Sequence, residues 1–478
     1  MIFSSVEFLL FLTFVLAIFW GTLGRLREPA SFRPQHLFLL LASYYFYMSW
    51  NAVLILLIVF STLVDYVLGA RIHASTCLRR RRTLLILSLV INLGLLALFK
   101  YANFFIDNTN AVLGMFSMRV PFVVDIILPV GISFFTFQSM SYTIDIYRRE
   151  LQPARSFTDF ALFVSFFPQL VAGPIVRASQ FLPQLDRPRR PGDIDIDRGL
   201  NYLLLGLVKK VLISDWLSTI ADPLFANPLE YNGLGVWMGV IAYTLQIYCD
   251  FSGYSDMAIG TAALLGYRLP DNFNMPYLSR NISEFWSRWH ISLSTWLRDY
   301  LYIPLGGNRF GHLLTLRNLL VVMFLGGLWH GAQWTFVAWG CAHGLALVVH
   351  KEFRRRFPLD QSRRLSPAGI ALGWLGTMIF VCATWVLFRA PSFETARILL
   401  TKMAFLDNSG SSPASPVLAL CLVIVVLSHL AGVRMFGGGG AGFPHVRLPF
   451  RAFGYAVVAL VLLLLAPSGA RPFIYFQF

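Results

Sequence analysis

The sequence predicts an all-α polytopic membrane protein, and three observations carry that prediction. Only 13% of its 478 residues are charged and 56% are hydrophobic, whereas a soluble domain carries roughly 25% charged residues. Apolar runs recur along the whole chain, at lengths close to the roughly 20 residues that a helix needs to cross a bilayer. Basic residues cluster between those runs, as they do in the loops of membrane proteins.

The runs follow in order. Val6–Leu23 reads as the first span rather than a cleavable signal: Glu7 stands where a signal peptide carries Lys or Arg, and the apolar stretch is too long for a signal core. His36–Trp50, Ala52–Gly69, Thr83–Phe99, Val120–Phe137 and Phe160–Val171 come next. Then come Gly199–Ile220, Gly233–Leu265, Leu316–Leu328, Trp334–Val349, Ile370–Leu387, Val417–Leu430 and Ala452–Leu465. Several are short, so the expectation is about 10 to 12 crossings plus one or two re-entrant pieces. No internal repeat and no soluble domain stands out. Residues 1–478 read as a single integral membrane domain. Gly437–Gly440 reads as a flexible connection, and Asn408–Pro416 as an outer loop rich in Ser, Gly and Pro.

A net charge of +15 raises the question of nucleic acid, and its distribution answers it. Arg25, Arg27, Arg33, Arg71, Arg79–Arg82, Arg148, Arg149, Arg155, Arg187–Arg190 and Lys351–Arg364 fall between spans. Asp107–Met115 and Ala221–Gly235 carry no Lys or Arg. That alternation is the positive-inside pattern of a protein in an inner (plasma) membrane, with basic loops cytoplasmic and the N-terminus outside. The lipid bilayer is the partner that the charge implies; nucleic acid is not. Five scattered cysteines show no CxxC and no metal-ligand spacing, so they read as apolar core residues or free thiols, with no metal site.

Polar residues are dense between Ile247 and His330. Asp250 and Asp256 flank Phe251-Ser252-Gly253-Tyr254-Ser255, and Asn272, Asn274, Asn281, Glu284, Arg288, Arg298 and Asp299 follow. Burying such groups costs several kcal/mol each unless they are paired or wetted. They therefore line a cavity or form an ion-paired network. Leu301–Arg309 suits a re-entrant turn, with Pro304 breaking the helix and Gly306 and Gly307 freeing the backbone. Two histidines, each following a tryptophan, complete the region: Trp289-His290 and Trp329-His330. Histidine exchanges a proton near neutral pH, and an ionisable group in a membrane is a functional candidate by default. A structural role, each ring donating to a backbone carbonyl, is the competing reading.

The words Ser283–Tyr300, Tyr302–Arg309 and Leu328–Gly331 resemble those of membrane-bound O-acyltransferases, closest to the alginate O-acetyltransferase-like branch. Phe166–Ile175 and Asp250–Asp256 resemble further words of that branch. The D-alanyl transfer branch shares the Trp-His words. The resemblance implies a ring of tilted helices with re-entrant segments around a central channel. It places the family's invariant histidine on His330 and the second catalytic position on His290. What it implies about chemistry is acetyl transfer from a cytosolic thioester, acetyl-CoA, to an exopolysaccharide such as alginate or cellulose, with a periplasmic SGNH-type partner and no permanently bound cofactor. His330 would serve as general base, and His290 would orient the thioester or stabilise the oxyanion. Arg280, Arg288, Arg298 and Arg309 are candidates for the donor's phosphates, since guanidinium forks match phosphate oxygens; internal ion pairs are the alternative. Trp289, Trp329, Asp250 and Asn281 complete the expected substrate-binding set. The aromatic tail Arg471–Phe478 is expected to dock at the channel or anchor at the interface. In the first case Tyr475 is an acyl relay. Transfer of D-alanyl or another acyl group to an envelope polymer, a polar-channel transporter or flippase, and a structural secretion subunit are the other readings.

Overall fold

A computed structural model describes residues 1–22, 34–118, 127–357, 366–412, 415–436, 448–467 and 471–474. Tyr475, the Gly437–Gly440 connection, and the basic residues Arg25, Arg27, Arg33, Arg363 and Arg364 lie outside them. The described chain is helical, with a single isolated β-bridge between Tyr231 and Ser411. In order the helices are α1 (Val6–Gly21), α2 (Pro34–Met48), α3 (Ile55–Ala74), α4 (Leu78–Leu96), α5 (Ala102–Gly114), α6 (Ile132–Arg148), α7 (Phe157–Ser165), α8 (Phe167–Leu170), α9 (Ala178–Phe181) and α10 (Ile196–Leu207). They continue as α11 (Asp215–Ala226), α12 (Gly233–Leu264), α13 (Ile282–Arg288), α14 (Ile291–Leu297), α15 (His312–His330), α16 (Trp334–Arg356), α17 (Pro367–Arg389), α18 (Phe393–Phe405), α19 (Pro416–Phe436) and α20 (Leu448–Leu465).

Among the described residues, five stretches are long and apolar enough to cross a membrane: α3, Leu78–Gly114, α12, α15 and α17. The chain is an all-α polytopic membrane protein. Other apolar runs are shorter, or are interrupted for local reasons. The run Phe160–Val171 breaks at Phe166, whose ψ of 110° leaves the helix; Pro168 then sits in the first turn of α8, the one helical position proline suits. The run Gly199–Ile220 is one continuous rod, but it contains a π-helical turn at Val208–Ser214. That extra residue per turn is a common mark of a functional position, and here it carries Lys210. Starts are set by ordinary caps: Ser5, Ser156, Asn281, Ser366 and Ser392 each accept a backbone N–H from three residues on.

The chain forms two compact units. The first comprises Met1–Leu203 and Ser255–Pro270. Within it α3, α4 and α6 enclose a buried carboxylate that sequence reasoning missed. Asp65 accepts hydrogen bonds from Ser88 Oγ at 2.6 Å, Asn92 Nδ2 at 2.7 Å and Ser139 Oγ. Those donors offset the large cost of placing a carboxylate among spans. The second unit comprises Leu204–Tyr254 and Asp271–Phe478 and holds both Trp-His pairs. The α15–α16 hairpin in it is closed by glycine. A Cβ on Gly327 would meet Gly340 Cα at 3.0 Å, so only glycine lets these backbones approach. The expected turn at Leu301–Arg309 is present: a π-helical turn ends at Tyr302, Gly306 and Gly307 take φ of 104° and 56°, and Asn318 Nδ2 donates to the carbonyls of Leu305 and Gly307.

Candidate active site

His330 is the last residue of α15, where the helix gives way to the extended backbone of Gly331. His290 precedes α14 with φ 43° and ψ 55°, a left-handed conformation that L-residues rarely adopt. It is fully buried, and His330 is 4% exposed. Their ring centroids lie 6.3 Å apart. The structure thus brings together two histidines separated by 39 intervening residues, both at the ends of helices, where a backbone turn aims the side chain.

An aromatic wall encloses them. Trp329, Trp339 and Phe388 stand edge-on to His330 at 5.0, 5.1 and 5.2 Å, and Phe251 to His290 at 4.6 Å. Trp385 bridges Trp289, at 5.0 Å, to Trp339, at 5.9 Å. Such a lining keeps water from a reactive ester. A third buried histidine, which sequence reasoning passed over, sits behind Trp339. Trp286 Nε1 donates to His343 Nδ1 at 3.2 Å, so Nε2 carries the proton and faces Thr384 Oγ1 at 3.0 Å. The ring of His343 contacts Trp339 at 4.8 Å. Its signal was present, a histidine on an apolar run four residues after Trp339.

Asp250 has a different setting from the histidines. Its carboxylate pairs with Lys210 Nζ at 2.6 Å and accepts the backbone N–H of Ile474 at 2.7 Å. Lys210 also pairs with Asp215 at 2.8 Å and donates to the Pro472 carbonyl at 3.4 Å. Arg471 donates to Ser218 Oγ and lies 3.4 Å from Asp222. The C-terminal segment is therefore held through its backbone by a buried charged cluster. Phe473 and Ile474 are buried, and Phe473 packs on Tyr254 at 4.9 Å and on Phe251 at 5.7 Å. Phe251 is the ring that also touches His290. The described part of the tail, residues 471–474, is thus held in the interior, with Phe473 against the ring that also touches His290.

The arginines divide. Arg280 and Arg288 both pair with Glu284, at 3.1 and 2.9 Å, and Asn281 caps α13. Burial pushes the Glu284 carboxyl up, but the Arg280 backbone N–H and the two guanidinium groups outweigh it and hold the carboxyl below its ordinary value. Arg298 pairs with its neighbour Asp299 at 2.6 Å, and Arg309 is exposed.

The chain was compared with known proteins. The family described as MBOAT, membrane-bound O-acyltransferase, matches residues 39–388, which include both histidines. A probable alginate O-acetylase AlgI of Azotobacter vinelandii is 39% identical, over 100% of both chains. A peptidoglycan O-acetyltransferase of Helicobacter pylori is 38% identical, over 82% of each chain. A teichoic acid D-alanyltransferase of Streptococcus thermophilus is 34% identical, over 48% of this chain and 58% of its own. The chain belongs to the membrane-bound O-acyltransferase family and is a multi-pass membrane acyltransferase.

Proposed function

We propose that this protein moves an acetyl group from a cytosolic thioester, acetyl-CoA, across the inner membrane for O-acetylation of an envelope exopolysaccharide such as alginate, with a periplasmic SGNH-type partner completing delivery. The observation that carries the reading is the pair of buried histidines 6.3 Å apart in a tryptophan-lined enclosure. The relatives named as acetylases of alginate and peptidoglycan support the acyl group and the class of acceptor.

His330 is the general base. It takes the proton from an attacking hydroxyl as that oxygen adds to the thioester carbonyl; positioned acid–base catalysis of this kind contributes roughly 10²–10⁴-fold. His290 holds the developing oxyanion. The C–S bond then breaks, and the departing thiolate takes up the proton. Tyr475 is the attacking hydroxyl in this reading. What supports it is the placement of its neighbour Ile474, whose backbone N–H is anchored to Asp250 next to Phe251 and His290. A phenol, with a pKa near 10, makes an ester reactive enough to pass its acetyl group to a partner's hydroxyl, so the route is a two-step covalent relay.

The test is polymer acetylation in cells and thioester cleavage by purified protein. His330→Ala abolishes both at normal protein level, and His290→Ala causes a smaller but large loss. Tyr475→Phe abolishes polymer acetylation and removes an acetyl adduct seen on Tyr475 by mass spectrometry. Wild-type acetylation in the His330 variant would sink the enzymatic assignment. Persistence in the Tyr475 variant, with no adduct in the parent, would remove only the relay. A transporter would cleave no thioester at all.

A further inference from the structure

A cavity of about 930 Å³ lies within the first unit and is lined by none of the residues of the candidate active site. Its wall is built from the turns between α9 and α10 and from the turn that follows α12. Side chains tie these turns together. Gln184 accepts the backbone N–H of Arg268 at 2.8 Å and donates to the Arg268 carbonyl at 2.9 Å. Asp193 pairs with Arg187 at 2.9 Å and accepts the backbone N–H of Arg190 at 2.9 Å. Arg189, 6% exposed, lies over the Tyr267 ring at 4.6 Å and donates to the Gln184 carbonyl. The cup is therefore pre-organised.

Two charges on its wall are left over. Among the described residues no carboxylate meets the exposed Arg268 guanidinium. Asp195 accepts the Arg198 backbone N–H at 3.1 Å as the cap of α10, and no cation among the described residues pairs with it. Nor do the two pair with each other, so the cavity presents a positive and a negative group at separate points. A purely anionic ligand would face three aspartates, 193, 195 and 197, as well as the three arginines 187, 189 and 268. The ligand that suits this wall is a zwitterion, with an oxyanion for the guanidinium fork and an ammonium for the carboxylate.

The surroundings say where such a zwitterion comes from. Trp20, at the end of the apolar helix α1, donates its indole N–H to the Leu264 carbonyl at 2.8 Å, and its ring would meet a Cβ on Gly266, a wall residue, at 3.4 Å. Ile196, also on the wall, is 54% exposed. Tryptophan at the end of an apolar helix marks the membrane–water boundary, and the arginines of this loop assign that boundary to the cytoplasmic side. A phosphodiester at that level with an ammonium a few atoms away is a phosphoethanolamine headgroup.

We propose that this cavity binds the phosphoethanolamine headgroup of a membrane lipid, with Arg268 on the phosphate and Asp195 on the ammonium. Gln184 and Asp193 act as positioning residues that hold the turns. The site stands apart from acyl transfer and does not depend on the donor assigned above.

The experiment uses the purified full-length protein in detergent, loaded with an equimolar mixture of dioleoyl phosphatidylethanolamine, phosphatidylglycerol and phosphatidylcholine and read by native mass spectrometry. The wild type retains the ethanolamine lipid over both others, because the glycerol headgroup has no cation and the choline nitrogen has no N–H to donate. Arg268→Gln weakens retention of the ethanolamine lipid about tenfold, or 1.4 kcal/mol, close to the least that a hydrogen bond to a charged group is worth. Arg268→Lys, which keeps the charge and loses the fork, falls between. Asp195→Asn keeps the helix cap and lets the glycerol lipid bind as well as the ethanolamine lipid. Equal retention of the three lipids by the wild type overturns the proposal, and so does an unchanged lipid preference in Asp195→Asn. Displacement of the bound lipid by soluble glycerophosphoethanolamine at equal concentration would make the ligand a free headgroup ester and overturn the membrane source.

Discussion

At the scale of single residues, Asp250 carries two commitments at once. It balances Lys210 and holds the backbone of Ile474 in a buried setting. Removing one partner of a buried ion pair leaves the other charged and unsolvated, at a cost of about 3–5 kcal/mol. Asp250→Ala is expected to lower the melting temperature of the purified protein clearly and to release the tail, read as faster carboxypeptidase trimming past Ile474. A variant that melts like the parent would show that the cluster contributes little. Asp250 was visible in the sequence as a carboxylate in an apolar run. Its role was not, because Lys210 and Ile474 lie 40 and 224 positions away and nothing local encodes that meeting. The division of the arginines differs, because it rests on local pairs, Arg280 and Arg288 with Glu284 and Arg298 with Asp299, which the sequence already offered as the alternative to phosphate binding. His290 and His330 were legible because each is announced by a tryptophan in an otherwise apolar stretch.

At the scale of elements, the α15–α16 hairpin positions His330, and it does so through glycine. A Cβ on Gly340 would meet the Gly327 backbone at 3.0 Å and the Met323 carbonyl closer still. Backbone cannot yield as a flexible side chain does, so overpacking here costs typically 1–3 kcal/mol or more. Gly340→Val is expected to lower the melting temperature and acyl transfer together. Gly94→Ala, where nothing lies within 4 Å, is expected to be neutral or mildly stabilising, since alanine suits a helix better than glycine. Equal melting of both variants and the parent would refute close packing at the hairpin. Most long helices were legible from the apolar runs, but α5 and α18 lie outside every run, the run Val120–Phe137 meets α6 only from Ile132, and helix ends were not legible. Phe160–Val171 reads as one element by hydropathy, yet the chain leaves the helix at Phe166. Trp334–Val349 extends in the structure to Arg356, because arginine is a good helix former and complements the helix C-terminus.

At the scale of the whole molecule, the alternation of basic and neutral loops gives a topology. Arg79–Arg82 begin α4 and Arg354–Arg356 end α16, while Ala226–Gly233 joins α11 to α12 and carries no Lys or Arg. The first two are expected to face the cytoplasm and the third the outside. Because α15 and α16 are joined by only three residues, the start of α15 should lie on the same side as the end of α16; the ion pair between His312 and Glu352 joins those ends. Single cysteines placed in each loop, probed with an impermeant thiol reagent in intact cells, check the assignment. Outer labelling at position 355 would invert it.

The tryptophan wall has an optical consequence. Trp289, Trp339 and Trp385 are each about 1% exposed, and their rings follow one another at 5.0 and 5.9 Å, with Trp286 a further 5.8 Å from Trp339. Indoles held this close in fixed orientations couple electronically and give near-ultraviolet circular dichroism, which vanishes when side-chain packing loosens. The candidate site thus carries its own chromophore. A silent variant that keeps the dichroism of the parent has lost chemistry, and one that loses it has lost the enclosure. The two kinds of failure separate in a single unlabelled sample.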